Sequence, residues 1–140
     1  MNPTMGGSQA LRDYIIADPT LSVMLTTGSI VKVFRSAAPA TVDPPYVRIN
    51  HIYGGEEWDA PRKSMDMMFR VEAISLDQGT SEMLANLLYD LLNGASLTLP
   101  DGWKPYARLT SQNVFTNTLI IKNETHYADG AFWRLRATKG

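Results

Sequence analysis

The chain reads as an α+β domain: a mainly antiparallel sheet with two helical segments packed on one face, in the order α-β-β-β-α-β-β. Three observations predict this. Apolar residues recur at helical spacing near the N-terminus and again in the middle of the chain, while between and after those segments the period falls to two. Gly, Pro and Asn-Gly signals mark the changes of period.

The first helical pattern starts at Ser8, the expected N-cap, and places Leu11, Tyr14 and Ile15 on one face; residues 1–8 are expected to form a flexible N-terminus. At Asp18-Pro19 the pattern restarts through Leu21, Met24 and Leu25, because Asp caps well and Pro is tolerated at the first helical position. A kinked helix or two short ones follow from this. After Gly28, Val31 and Val33 alternate with Lys32 and Phe34 as a first strand. The Pro-rich segment 36–45 reads as a loop into a second strand, Tyr46 to Tyr53, which Gly54-Gly55 is expected to end. A polar loop around Trp58 then leads to a third strand through Phe69, Val71 and Ala73, giving a hairpin with a long tip. Thr80 or Ser81 caps a helix whose stripe is Leu84, Leu87, Leu88, Leu91 and Leu92, closed by Asn93-Gly94. Tyr106 to Phe115 is compatible with a strand, residues 119–121 with a short one, and Trp133, Leu135 and Ala137 with the buried face of a last strand.

At 140 residues the chain is expected to be a single domain. Thirteen Lys+Arg against fourteen Asp+Glu give a net charge of −1, which argues against nucleic-acid affinity driven by bulk charge. No stretch approaches the roughly 18 to 20 apolar residues that span a bilayer, and the N-terminal segment lacks a basic region followed by an apolar one. The expectation is a soluble, cytoplasmic protein. With no cysteine, disulfides, thiolate metal sites and cysteine nucleophiles are excluded.

His51 and His126 stand in no HxxxH or HxH spacing, and neither GxSxG nor a Walker A pattern occurs. No catalytic, cofactor or metal residue is therefore assigned. Glu56, Glu57 and Asp59 are paired carboxylates with the chemistry for acid–base work or a divalent cation, but in a polar tip nothing buries them to shift a pKa, so a solvated loop is the better reading. Trp58 beside Arg62 and Lys63 fits a protein contact surface and a partly buried aromatic equally well. Arg134 and Arg136 share a polar strand face, Arg70 lies on a comparable one, and a basic stripe of this kind could meet phosphates; Glu72 beside Arg70 makes a cross-strand or intersubunit salt bridge at least as good a reading. Asn123-Glu-Thr125 matches a glycosylation sequon and carries no weight without a secretion signal.

Taken in order, LRDYIIADPTLSVML, PPYVRI, MMFRVEAIS, SEMLANLLYDLLNG and DGAFWRLRAT resemble the tail terminator, or tail-completion, family of long-tailed bacteriophages, from about Gln9 to Thr138. The resemblance rests on pattern and spacing. It implies a non-enzymatic virion protein at the tail-neck junction, assembled in the host cytoplasm. Copies would form a homohexameric ring on the tail tube, stop its polymerisation and offer a surface to a head-completion or connector protein. DNA would pass through the lumen without specific binding, and Glu56, Glu57 and Asp59 are candidates to line it. Segments 36–45, 54–66 and 113–130 are expected to be long docking loops. Another neck component, such as a head-closure or connector-adaptor protein, shares these features; a small ligand-binding α+β domain is the reading from another class.

Overall fold

Two long hairpins with period-two patterning share one sheet, and the helices cover one side of it. The computed structural model describes residues 3–36, 38, 42–59 and 62–139, with side chains described for 6–36, 38, 42–54 and 64–139. The elements are α1 (Pro3–Ile16), α2 (Pro19–Leu25), β1 (Thr26–Thr27), β2 (Ile30–Val31), β3 (Val33–Arg35), β4 (Tyr46–Asp59), β5 (Arg62–Ser75), α3 (Gln78–Leu92), β6 (Lys104–Pro105), β7 (Thr110–Ile121) and β8 (Glu124–Lys139). The fold is α+β. The sheet runs β3-β4-β5-β8-β6, with β7 also on β8, and all its pairings are antiparallel except β3 with β4.

Helix α1 begins at Pro3, ahead of the expected cap at Ser8, and Gly6 and Gly7 are buried. Residues 3–8 are therefore part of the helix. A Cβ on Gly7 would come 2.8 Å from Phe69 Cζ, so the missing side chain lets the helix lie directly on the sheet. Asp18 caps α2 by accepting from the Leu21 amide at 3.0 Å, with Pro19 in the first turn as the sequence predicts. The cap of α3 is Asp77, which accepts from the Thr80 amide at 2.9 Å, so the helix starts before the expected Thr80 or Ser81. Leu84, Leu88 and Leu92 are its buried line, Leu87 and Leu91 flank it half-buried, and Gly94 ends it at φ +76°.

The first expected strand is split at Lys32, which is buried while its Nζ donates to the Asp43 carbonyl at 2.9 Å. Two expected loops are strands. Gly54-Gly55 does not end β4; a bulge between His51 and Tyr53 absorbs the irregularity and pairing with β5 continues to Asp59↔Arg62. Gly54 sits at φ +90° with an ideal Cβ only 2.1 Å from the Asp66 carbonyl oxygen, so glycine here permits a close strand crossing and not a stop. Likewise, segment 113–130 is the β7–β8 hairpin, turned at Lys122-Asn123 with φ of 52° and 63°. Two left-handed residues are the type I′ pattern that matches strand twist, and Lys-Asn lacks the glycine that usually announces it. Of segment 36–45, Ala38 and Val42 pack with Phe34 and Leu119 around Tyr46, Ile74 and Ala128.

The main core lies between the helices and the sheet. Leu11, Ile15, Leu25, Leu84 and Leu92 from the helices meet Ile49, Met67, Phe69, Val71, Trp133 and Leu135 from the strands. Tyr89 of α3 stacks against Trp133 with ring centroids 5.4 Å apart.

Candidate functional site

Strand alternation sends every second residue of β4, β5 and β8 away from the helices, and the polar residues collect there. Register places Arg48 opposite Glu72, Glu72 opposite Gly130, Arg70 opposite Phe132, Met68 opposite Arg134 and Asp66 opposite Arg136. Gly130 is required at its position, since a Cβ would lie 2.1 Å from the Val71 carbonyl oxygen. Arg70, Glu72, Arg134 and Arg136, singled out in the sequence, thus fall on one surface. Arg48 and Asp66 join them and were missed; same-face parity counted back from Glu72 reaches Asp66, but only if the strand extends through residues read as loop.

Glu72 is 2% exposed and is held by Arg48, whose Nε donates to its Oε1 at 2.8 Å and whose Nη2 also reaches that oxygen. Arg70 Nε lies 3.7 Å from Glu72 Oε2, along the same strand. Within the chain, Glu72 is thus paired mainly across the strands, with Arg48. Asp66 accepts from Arg134 at two points, Nε to Oδ1 at 2.9 Å and Nη2 to Oδ2 at 2.6 Å. That bidentate bond holds the Asp66 carboxyl below its usual value and raises the Arg134 guanidinium above its own. Burial pushes the Tyr46 phenol up at the edge of the same face. Arg136 lies over the Tyr106 ring at 6.0 Å, and Phe115 packs on Phe132 at 5.4 Å.

Four guanidinium groups against two carboxylates leave an excess of positive charge, and Arg70 Nε and Arg136 Nε are buried with no hydrogen-bond partner among the described residues. The two unpartnered nitrogens are shielded from solvent, while Arg48, Arg70 and Arg134 as whole side chains keep 24%, 32% and 38% of their surface, so the excess charge on this face attracts anionic groups. On the opposite side of the sheet, Asp129 is buried and accepts from the Ser81 hydroxyl, tying β8 to the start of α3.

Glu56, Glu57, Trp58 and Asp59 are in β4 and Arg62 and Lys63 in β5, so they belong to a paired hairpin arm and not to a loop; their side chains lie outside those described. His51 is exposed with Nε2 2.9 Å from the Gly54 carbonyl oxygen, while buried His126 places Nδ1 3.2 Å from the Glu124 carbonyl oxygen. Among the described residues no group of three or more His, Asp or Glu is placed to hold a metal ion, and no helix is long and apolar enough to cross a membrane. An apolar groove of about 260 Å³ runs between α3 and the β7–β8 arm, lined by Val71, Leu88, Tyr89, Val114, Ala131 and Trp133.

Among solved structures the chain is similar to a chain from the virion of a native gene transfer agent particle, with a TM-score of 0.77 and 19% sequence identity, covering 97% of each chain. At that identity the likeness establishes the fold. No family model matches the chain, and no curated protein does.

Proposed function

We propose that this chain is a structural virion subunit that acts without catalysis as a tail terminator. In this reading its copies form a ring on the last ring of the tail tube, block further tube growth and present a second face to a head-completion or connector protein. One observation carries the reading: the fold matches a gene transfer agent virion chain over 97% of both chains, with no large insertion needed on either side. The sequence resemblance to tail terminators, which rests on pattern and spacing, points the same way.

The mechanism is one of shape and valence. A closed ring of head-to-tail contacts caps a stack that otherwise extends without limit, provided one ring face fits the tube end and the other does not recruit tube protein. The helix-free face, with its surplus guanidinium groups, is assigned to contacts between subunits or with the next ring. Polymerising tail-tube protein with the purified chain tests the function. Short tubes ending in a ring of this chain, seen by electron microscopy, are the expected result. Tubes of unchanged length with the chain bound to portal-side proteins would instead identify a connector adaptor.

A further inference from the structure

We infer that strand β7 of one copy pairs antiparallel with the free edge of β4 in the next copy, so that the sheet runs on from subunit to subunit. This rests on the proposed assembly for its copy number, while the joint is argued from the two edges themselves.

The β7 edge is the first observation. The strand TSQNVFTNTLII contains no charged residue and no proline, and among the described residues its only strand partner is β8. Edge strands of monomeric proteins are ordinarily blunted by lysine, proline or a bulge, because their open row of N–H and C=O groups recruits other strands. Here the bulge at Ser111/Asn113 precedes the long regular run from Asn113 to Ile121 and leaves it unprotected. Because a two-residue turn is flanked by a hydrogen-bonded pair, Ile121, Leu119, Asn117 and Phe115 bond to β8, and the backbone groups of Ile120, Thr118, Thr116 and Val114 point outward.

The second observation is a complementary edge at the other end of the sheet. Strand β3 covers β4 only from Val47 to Ile49, leaving residues 50–59 with β5 on one side and, among the described residues, no strand on the other. Chain direction alternates through β4, β5, β8 and β7, so joining β7 to a neighbour's β4 keeps the antiparallel pattern. Both edges also carry large exposed apolar side chains: Val114 at 64% and Ile120 at 72% on β7, Ile52 at 41% and Tyr53 at 60% on β4.

Stagger is the third observation. The β7–β8 pairing runs past the last β5–β8 pair at Ser75↔Tyr127 to Ile121↔Glu124, while the β4–β5 arm runs past Lys63↔Lys139 to Asp59↔Arg62. The two free edges therefore project in opposite directions along the strands. A sheet that closes on itself requires such an offset, since strand tilt and shear are linked. Pairing β7 with β7 about a twofold axis would leave the β4 edge and its apolar residues open.

The chain has no cysteine, so disulfide trapping reads the joint directly. Variants carrying one cysteine on β7, at each position from Val114 to Ile120 in turn, and one at Ile52 or Tyr53 are oxidised in concentrated solution. The expected result is a reducible ladder of dimer, trimer and larger species that requires both cysteines. Dimer formed equally by a single β7 cysteine would overturn the proposal in favour of a twofold joint, and no product from any pair would overturn it outright. Thr118→Pro removes one outward N–H and spares the β8 ladder, so it should keep the cooperative melt and abolish trapping; Val114→Lys serves if the proline unfolds the hairpin. A persisting ladder in a folded variant would also refute the joint. Multimers that trap but do not cap tubes would overturn the terminator reading alone, and capping without trapping would overturn only the joint.

Discussion

The two faces of the sheet are built from alternate residues of the same strands and obey different physics. On the helix side, Phe69, Met67, Trp133 and Leu135 are at most 1% exposed and packed under α1 and α3. On the other side, Arg48, Arg70 and Arg134 keep 24%, 32% and 38% of their side-chain surface. Stability is concentrated where water is excluded, because burial of apolar area scales with the surface removed, whereas half-exposed ion pairs gain little net energy. The face that contributes least to holding the monomer together is therefore the one with free capacity for a partner.

The sharpest way to break this comparison is Trp133→Ala. The indole is buried against Tyr89 and the loss should be about 3 to 5 kcal/mol in chemical denaturation. Leu88→Ala in α3 should cost about 2 to 5 kcal/mol by the same measurement, toward the lower end because the groove beside it lets neighbours relax. A change near zero at either position would mean that the helix side is itself an interface.

Glu72→Ala probes the polar face at its most buried point. Removing the carboxylate leaves Arg48 and Arg70 without their partner, but both reach solvent, so about 1 to 3 kcal/mol is expected. A loss above that of Trp133→Ala would reverse the ranking of the two faces. The smallest effect is expected from Asp66→Asn, below about 1 kcal/mol at neutral pH, since the Asp66–Arg134 pair is over one-third exposed. Its pH dependence has a definite sign. The folded carboxyl titrates below the unfolded value of about 3.9, so its contribution is complete above that value and is lost as pH falls through the lowered one. Denaturation midpoints of the wild type and Asp66→Asn should accordingly differ at pH 7 and converge in acid; a gap that widens in acid would contradict the bidentate pairing.

Short-range patterns were legible without coordinates. Leu84, Leu88 and Leu92 repeat at helical spacing, Asp18-Pro19 starts a helix, and Trp133, Leu135 and Ala137 alternate with Arg134 and Arg136, so the α+β class and the polar character of one strand face follow from local periodicity. Parity also put Arg70 with Glu72, and Arg134 with Arg136, on polar strand faces, and the β5–β8 register brings the two pairs onto one surface. Other features depended on partners distant in the chain. Glu56 to Asp59 look like a loop because Gly54-Gly55 precedes them, yet pairing with Arg62 to Met65 makes them strand. Arg48 meets Glu72 across 24 residues and Arg134 meets Asp66 across 68, separations at which no spacing rule operates. The turn at Lys122-Asn123 was not legible because Lys-Asn lacks the glycine that usually marks a type I′ turn, so the segment around it reads as a loop. Local periodicity thus determined which residues face the core, since that depends on a side chain's own hydrophobicity and its neighbours' spacing. Which strands extend, which charges meet and which edges stay open was decided by the tertiary structure, because each depends on long-range register.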